Sequence, residues 1–239
     1  MSDRPQSHHR PSLQERFIEF LGSNRTILLS VLALIVVGVV GSFVWLEVND
    51  RRATAAAALS EELRTTYREW VSAEGGDAEE GEAEEAREQI ESIAAEILDR
   101  YANSFAAQRA RFVLGNLHWE EGEFDRASQE FLALATEFPE SYLAPVALFN
   151  AAVAEEELGE SEEARGRYEE IVETYAESSA QVPRSLFALG RLSEGAGDHQ
   201  EAAGYYNRIL DEFGDSSWTT LARNRIIFLQ TEGLVSADS

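Results

Sequence analysis

FVLGNLHWEEGEFDRASQEFLALATEFP, residues 112–139, decides the fold. Within it Gly115, Gly122, Ala127, Phe131 and Phe138 stand seven, five, four and seven residues apart. Ala152, Gly159, Ala164, Tyr168 and Tyr175 repeat those intervals, and so do Gly190, Gly197, Ala202, Tyr206 and Phe213. The offset is 37 residues, then 38. Self-similarity at such a period marks stacked supersecondary units, none of which buries its apolar face alone.

The chemistry of each position specifies a helix pair. A small residue at the first position lets two helices approach closely. The second glycine (Gly122, Gly159, Gly197) ends the first helix in a left-handed conformation. Asp125, Ser161 and Asp198 then stand where short polar side chains cap free amides. The alanine packs on the first helix, and the aromatic four residues later fills the next turn of that face. Pro139 stops the second helix. Pro145 and Pro183 sit where helices begin and a missing amide costs nothing.

Phasing outward extends the array in both directions. Ile90, Ile93, Ala94, Ile97, Leu98 and Tyr101 share one face of a helix that starts near Ala86, and Tyr101 lies 37 residues before Phe138. This helix is the second of an earlier, degenerate unit. The first helix of that unit carries Ala57, Leu59, Leu63, Tyr67 and Trp70, and an acidic loop, AEGGDAEEGEAEE (73–85), separates the two. A calcium loop would need a fixed alternation of ligands that this segment lacks. Beyond Phe213, Ser216 or Ser217 caps a last helix with Trp218, Leu221, Ile226, Ile227 and Leu229 as apolar positions. Gly233 follows its end, and the helix closes the stack.

Upstream, ILLSVLALIVVGVVGSFVW (27–45) contains no charge. It spans roughly 30 Å as a helix, the thickness of a bilayer's hydrocarbon core. Ile27, Leu34, Val40 and Trp45 mark this anchor from end to end. The run exceeds the core of a cleaved signal, and Ala53-Thr54-Ala55 lies beyond it, past Arg51 and Arg52. Arg10, Arg16 and Arg25 before the span favour an N-terminus on the cytoplasmic side. Gly38 and Ser42 form a small-xxx-small pair that would allow a homodimer. Ahead of the span, Ser12-Leu-Gln-Glu15 reads as a capping box for a short amphipathic helix with Leu13, Phe17, Phe20 and Leu21 on one face. The expected organisation is therefore a tail (1–25), a transmembrane helix (26–46), a degenerate repeat (47–102), three repeats (103–215), and a capping helix and tail (216–239).

Composition narrows function. The net charge is −24, divided as +1 over residues 1–25 and −25 over residues 47–239. So acidic a domain repels phosphate backbones, which excludes nucleic acid as a partner. All 20 basic residues are Arg, consistent with a GC-rich genome or a saline habitat. The sequence has no Cys, hence no disulfide, thiolate metal site, Cys nucleophile or lipid-modified Cys. No catalytic constellation, phosphate loop or strand pattern is present, and neither cofactor nor metal is expected. His118 and His199 are isolated, His118 at a packing position. His8 and His9 belong to a solvated tail. Glu155, Glu156 and Glu157 read as a solvated helical face.

Leu114-Gly115, Gly122, Ala127, Phe131 and Pro139 resemble the tetratricopeptide repeat, as do Leu189-Gly190, Gly197, Ala202 and Tyr206. The middle unit departs at Ala151-Ala152 and at Ala176, where Pro is usual. The resemblance implies an all-α, non-enzymatic solenoid of helical hairpins that binds proteins along a concave groove. It places Phe112, Phe149 and Phe187 at one groove-facing position of successive units, with Arg109, Asn116, Trp119, Arg184 and Arg191 beside them. The alternative for the three Phe is ordinary core. A basic clamp for C-terminal carboxylates would need Lys or Arg where these Phe stand.

The whole layout is similar to the ancillary subunits of the bacterial Sec translocon, anchored in the inner membrane with periplasmic repeats. That resemblance implies translocon subunits, a periplasmic chaperone or a secretory client as partners. Related repeats occur in a periplasmic cell-division coordinator, against which the anchor argues, and in an outer-membrane assembly lipoprotein, against which the missing Cys argues. A structural adaptor of division, Tol-Pal-type or outer-membrane assembly complexes is the alternative function.

Overall fold

A computed structural model describes Gln14 and residues 24–77, 81–176 and 180–236. Among these residues all regular structure is helical: nine α-helices and one π-helical turn, with no strand. The capping box, the amphipathic face at Leu13–Leu21 and the tail histidines lie outside the described residues, as does the side chain of Ile27.

Contacts divide the chain into two units, Met1–Thr54 and Ala55–Ser239. Helix α1 (Arg25–Ser72) contributes to both. In the first unit the residues from Leu32 to Asp50 are all exposed, including Leu34, Val40 and Trp45. An 18-residue window there has a mean hydropathy of 2.0, so α1 is long and apolar enough to cross a membrane. Nothing packs near Gly38, and Ser42 donates its hydroxyl proton to the Gly38 carbonyl within the helix (2.8 Å). Ala53–Ala55 lie inside α1, which continues unbroken into the first repeat helix.

The second unit is the solenoid. After α1 come a π-helical turn (Ala73–Asp77), α2 (Glu82–Arg100), α3 (Phe105–Glu120), α4 (Phe124–Glu137), α5 (Ala144–Glu157), α6 (Ser161–Thr174), α7 (Val182–Ala196), α8 (His199–Glu212) and α9 (Trp218–Thr231). The segment ahead of the clear repeats shares one buried cluster. Leu63 and Trp70 of α1 are buried with Ile90, Ala94 and Ile97 of α2 and Ala107, Ala110 and Leu117 of α3. Ala56 rather than Ala57 faces that core, one residue from the expected position. Helix α2 starts at Glu82, four residues early. Glu82, Glu84 and Glu85 occupy its first turn, where the helix dipole favours acids, so part of the acidic segment is helix rather than loop.

Every helix end repeats. Gly122, Gly159, Gly197 and Gly233 have φ of 73°, 79°, 86° and 70°. Each is followed by a six-to-one bond: Glu123 N–H to His118 O, Glu160 N–H to Glu155 O, Asp198 N–H to Ser193 O (2.8 Å each) and Leu234 N–H to Leu229 O (2.9 Å). These are Schellman turns, which satisfy carbonyls the helix leaves free. Tyr101, Phe138, Tyr175 and Phe213 each end a second helix as its C-cap residue. Tyr101 is thereby in register with the three clear repeats. Pro145 and Pro183 sit in the first turns of α5 and α7.

The close-approach glycines are as tight as their spacing implies. A Cβ on Gly115 would lie 2.6 Å from the Phe131 ring, and one on Gly190 would collide with the Tyr206 ring. Ala127, Ala164 and Ala202 are wholly buried beside these rings.

Two expectations fail. Asp125, Ser161 and Asp198 make no capping bond: the cap positions are Glu123, Glu160 and Asp198, and none accepts from the helix through its side chain. The Schellman turn immediately upstream sets the entry geometry of the second helix, so a side-chain cap is dispensable. Ser104 does cap its helix, accepting from Ala107 N–H at 3.2 Å, and Ser216 Oγ accepts from Trp218 N–H at 3.3 Å at the start of α9. In α9, only some of the expected apolar positions turn inward. Thr219, Ala222, Ile226 and Leu229 face the core, whereas Leu221, Ile227 and Phe228 are exposed. Its end at Gly233 is that of a first helix in a further unit.

Candidate interaction groove

The first helices α3, α5 and α7 line two adjoining hollows. One, about 290 Å³, lies against Asn116 and Trp119 of α3, Phe131 of α4, Asn150 and Val153 of α5, and Arg184 of α7. The other, about 390 Å³, lies against Phe149, Val153, Phe187, Arg191 and Trp218. Val153 and Arg184 belong to both, so the two form a continuous groove.

The three Phe at equivalent positions each pack on the aromatic of their own second helix. Centroids are 5.7 Å apart for Phe112–Phe131, 5.1 Å for Phe149–Tyr168 and 5.4 Å for Phe187–Tyr206. Phe149 is only 4% exposed. The guanidinium of Arg184 lies 3.8 Å above its ring, a cation–π contact that covers the remaining face. Phe112 and Phe187 are half-buried. Phe187 opens into the groove beside Trp218, with centroids 5.2 Å apart, whereas Phe112 lines neither hollow. Arg109 lies outside both as well, 5.9 Å above the Phe105 ring. The structure thus gathers Asn116, Trp119, Phe149, Arg184, Phe187 and Arg191, and leaves Arg109 and Phe112 apart.

Charge in the groove is largely committed. Arg191 donates to both oxygens of Glu156 at 2.6 Å, and Tyr168 O–H donates to Glu156 Oε1 at 2.7 Å. Glu194 likewise accepts from Tyr206 O–H at 2.5 Å and from Arg225 of α9. In each case a first-helix carboxylate binds its own second helix and the next first helix, tying unit to unit. Burial, followed by the bond to the carboxylate, raises the pKa of both tyrosines, so they remain proton donors. In the first repeat Trp119 and Phe131 occupy the corresponding positions, and the tie is replaced by an apolar wall. Arg184 has no carboxylate within ion-pair reach among the described residues.

Glu155 and Glu156 depart from the solvated face expected of them. Glu155 is 4% exposed, and Arg167 Nε (3.3 Å) and Ser128 Oγ (3.4 Å) donate to its Oε1. Desolvation raises its pKa despite Arg167. Spacing carried a usable signal for Glu156 and Glu194, since each precedes its tyrosine by 12 residues. No catalytic triad or phosphate cradle accompanies the groove among the described residues. Outside it, one trio of ligand-type side chains, His118, Glu121 and Glu123, converges to within 4.8 Å.

The model of a tetratricopeptide repeat-like domain matches residues 19–164, more than half of the chain, and that of a tetratricopeptide repeat matches residues 149–217. No curated protein matches. Repeats of this kind are interaction modules rather than catalysts, in keeping with a groove built from aromatic and arginine side chains. Helix pairing, glycine-ended first helices and aromatic-ended second helices agree with both matches, and the chain belongs to the tetratricopeptide repeat-like family.

Proposed function

We propose that this protein is a membrane-anchored, non-enzymatic scaffold that holds a protein partner in the groove of α3, α5 and α7. The observation that carries this reading is the continuity of the two hollows through Val153 and Arg184. Trp119, Phe187 and Trp218 offer apolar contact, and Arg184 offers a cation that no acid among the described residues engages. Aromatic and arginine side chains around a desolvated centre are the usual energetic core of an interface. Arg191 is the second groove cation, and Glu156 competes for it.

Apolar α1 supplies the anchor, Ile27–Trp45, with the N-terminus cytoplasmic and the repeats periplasmic in a bacterial inner membrane. Tail, anchor, alanine-rich helix and repeats in this order favour a place beside the Sec translocon, a layout from which the acidic segment 73–85 departs, and where translocon subunits, a periplasmic chaperone or an emerging secretory chain would be bound. The segment-by-segment organisation follows: tail, span, degenerate repeat, three repeats and closing helix.

Crosslinking in cells through a photoreactive residue at Phe187, read by mass spectrometry, tests the assignment. Translocon subunits and nascent secretory chains support it. Recovery of division or cell-wall proteins alone overturns it in favour of an envelope adaptor. Topology is tested by Ser161→Cys, at an exposed position of α6. It should react with an impermeant thiol reagent in intact cells, and reaction only after permeabilisation of the inner membrane would reverse the orientation.

A further inference from the structure

His118 is 3% exposed, and its Nδ1 makes no hydrogen bond. It occupies the last turn of α3, and Nδ1 faces two carboxylates just past the helix end. Glu123 Oε2 lies at 3.0 Å and Glu121 Oε2 at 3.6 Å. Neither approach meets hydrogen-bond geometry. Glu121 Oε2 is itself buried and unpartnered. A buried nitrogen and a buried oxygen facing each other without a bond are costly unless something stands between them.

The surroundings favour a cation there. Arg87 Nε donates to the other oxygen of Glu121 (2.5 Å), and Arg126 Nη1 donates to Glu123 Oε2, the oxygen that also faces His118 (2.7 Å). Ligating carboxylates are commonly oriented in this way by outer hydrogen bonds. Glu84 and Glu91 complete the cluster by pairing with Arg87. Four acids thus meet two arginines around His118, an excess of two acids over arginines. Tetrahedral zinc, with bonds of about 2.0–2.1 Å, spaces its ligand atoms roughly 3.3–3.4 Å apart. The observed separations of 3.0 and 3.6 Å bracket that spacing. The Schellman turn at Gly122 brings Glu121 and Glu123 back toward His118. This His-x2-Glu-x-Glu pattern occurs once, since the later units have Glu155, Leu158 and Glu160, then Ser193, Ala196 and Asp198.

We propose that His118 Nδ1, Glu121 Oε2 and Glu123 Oε2 bind a divalent transition cation, zinc by the chemistry of the donors, with water as fourth ligand. The ion pins the α3–α4 corner and, through Arg87, the start of α2. The site is independent of the groove.

Zinc chloride titrated into the full-length chain in detergent micelles tests this, by calorimetry and by thermal unfolding. His8→Ala and His9→Ala first remove the tail histidines. One equivalent should bind and raise the Tm, and a large excess of calcium should not displace it. His118→Gln and Glu123→Gln should each weaken binding at least tenfold and abolish the Tm rise. Glu123 is 40% exposed at its side chain, so that variant keeps its helicity even if His118→Gln disturbs packing. Absence of binding, binding unchanged in Glu123→Gln, or equal competition by calcium would each overturn the site. A Tm that depends on proton concentration at His118 but not on zinc would make the buried imidazole a proton-bearing partner of the carboxylates instead.

Discussion

Gly190→Ala probes the packing argument most sharply. The added methyl would enter the Tyr206 ring, which is completely buried and bonded to Glu194, so the ring has nowhere to swing. Overpacking a tight core costs about 1–3 kcal/mol. Replacing a mid-helix glycine with alanine returns about 1 kcal/mol through helix propensity. The net is a loss of about 0–2 kcal/mol, which for a domain of this size lowers the Tm by up to roughly 8 °C. Gly204→Ala is the internal control. Gly204 sits inside α8 with no atom near its would-be Cβ, so only the propensity gain applies and the Tm should rise by about 2–4 °C. Thermal unfolding of the full-length chain in micelles, followed by circular dichroism, measures both. A shift of the same sign and size in the two variants would refute the claim that Gly190 exists for close approach. Ala152 opposite Tyr168 sharpens the comparison, because there the helix pair has accommodated the methyl in advance.

Other outcomes follow from the same geometry. Phe149→Ala should cost about 3–5 kcal/mol, since a buried ring is lost, whereas Phe187→Ala should leave most helicity intact and weaken partner capture; equal losses of stability would place both in the core. Tyr168→Phe removes a donor from Glu156 and should cost about 1 kcal/mol by chemical or thermal unfolding, and no loss would mean that Arg191 alone satisfies the carboxylate. Desolvation raises the pKa of Glu155, so its contribution is favourable at acid pH and is lost as pH rises through the folded value. Glu155→Gln should therefore gain stability over the parent near neutrality, and the gain should vanish toward pH 4. Glu194 behaves oppositely. Burial alone would raise its pKa, but bonds from Arg225 and Tyr206 outweigh that and lower it. Glu194→Gln should lose stability at neutral pH and converge with the parent as pH falls below the ordinary carboxyl range.

The repeat was legible because glycine and aromatic positions answer to backbone conformation and ring volume, which act locally and recur with the period. Tyr101 could be phased from one residue for the same reason. The side-chain caps were misread because an N-cap rule considers one helix start alone, whereas here the preceding Schellman turn already directs the chain. Glu155 and Glu156 were read as solvated because three consecutive acids look like surface. Their partners, Arg167, Arg191 and Ser128, lie 12, 35 and 27 residues away, on other helices. The groove was only partly legible: equivalent positions gave the three Phe, but which of them open to solvent depends on neighbours such as Arg184 and Trp218. The exposed side of α9 shows the same limit, since an apolar residue in a helix does not reveal whether a further helix follows to cover it.

The central claim is that a partner lies along the first helices and not elsewhere on the solenoid. Photoreactive residues placed singly at Trp119 and Phe187 in the groove, and at exposed Gln129 and Gly166 on second helices, measure this directly in cells. The account predicts one crosslinked product shared by Trp119 and Phe187, lost on Arg184→Glu and absent from Gln129 and Gly166. Crosslinking of equal strength from Gln129 or Gly166, or none from either groove position, would contradict it.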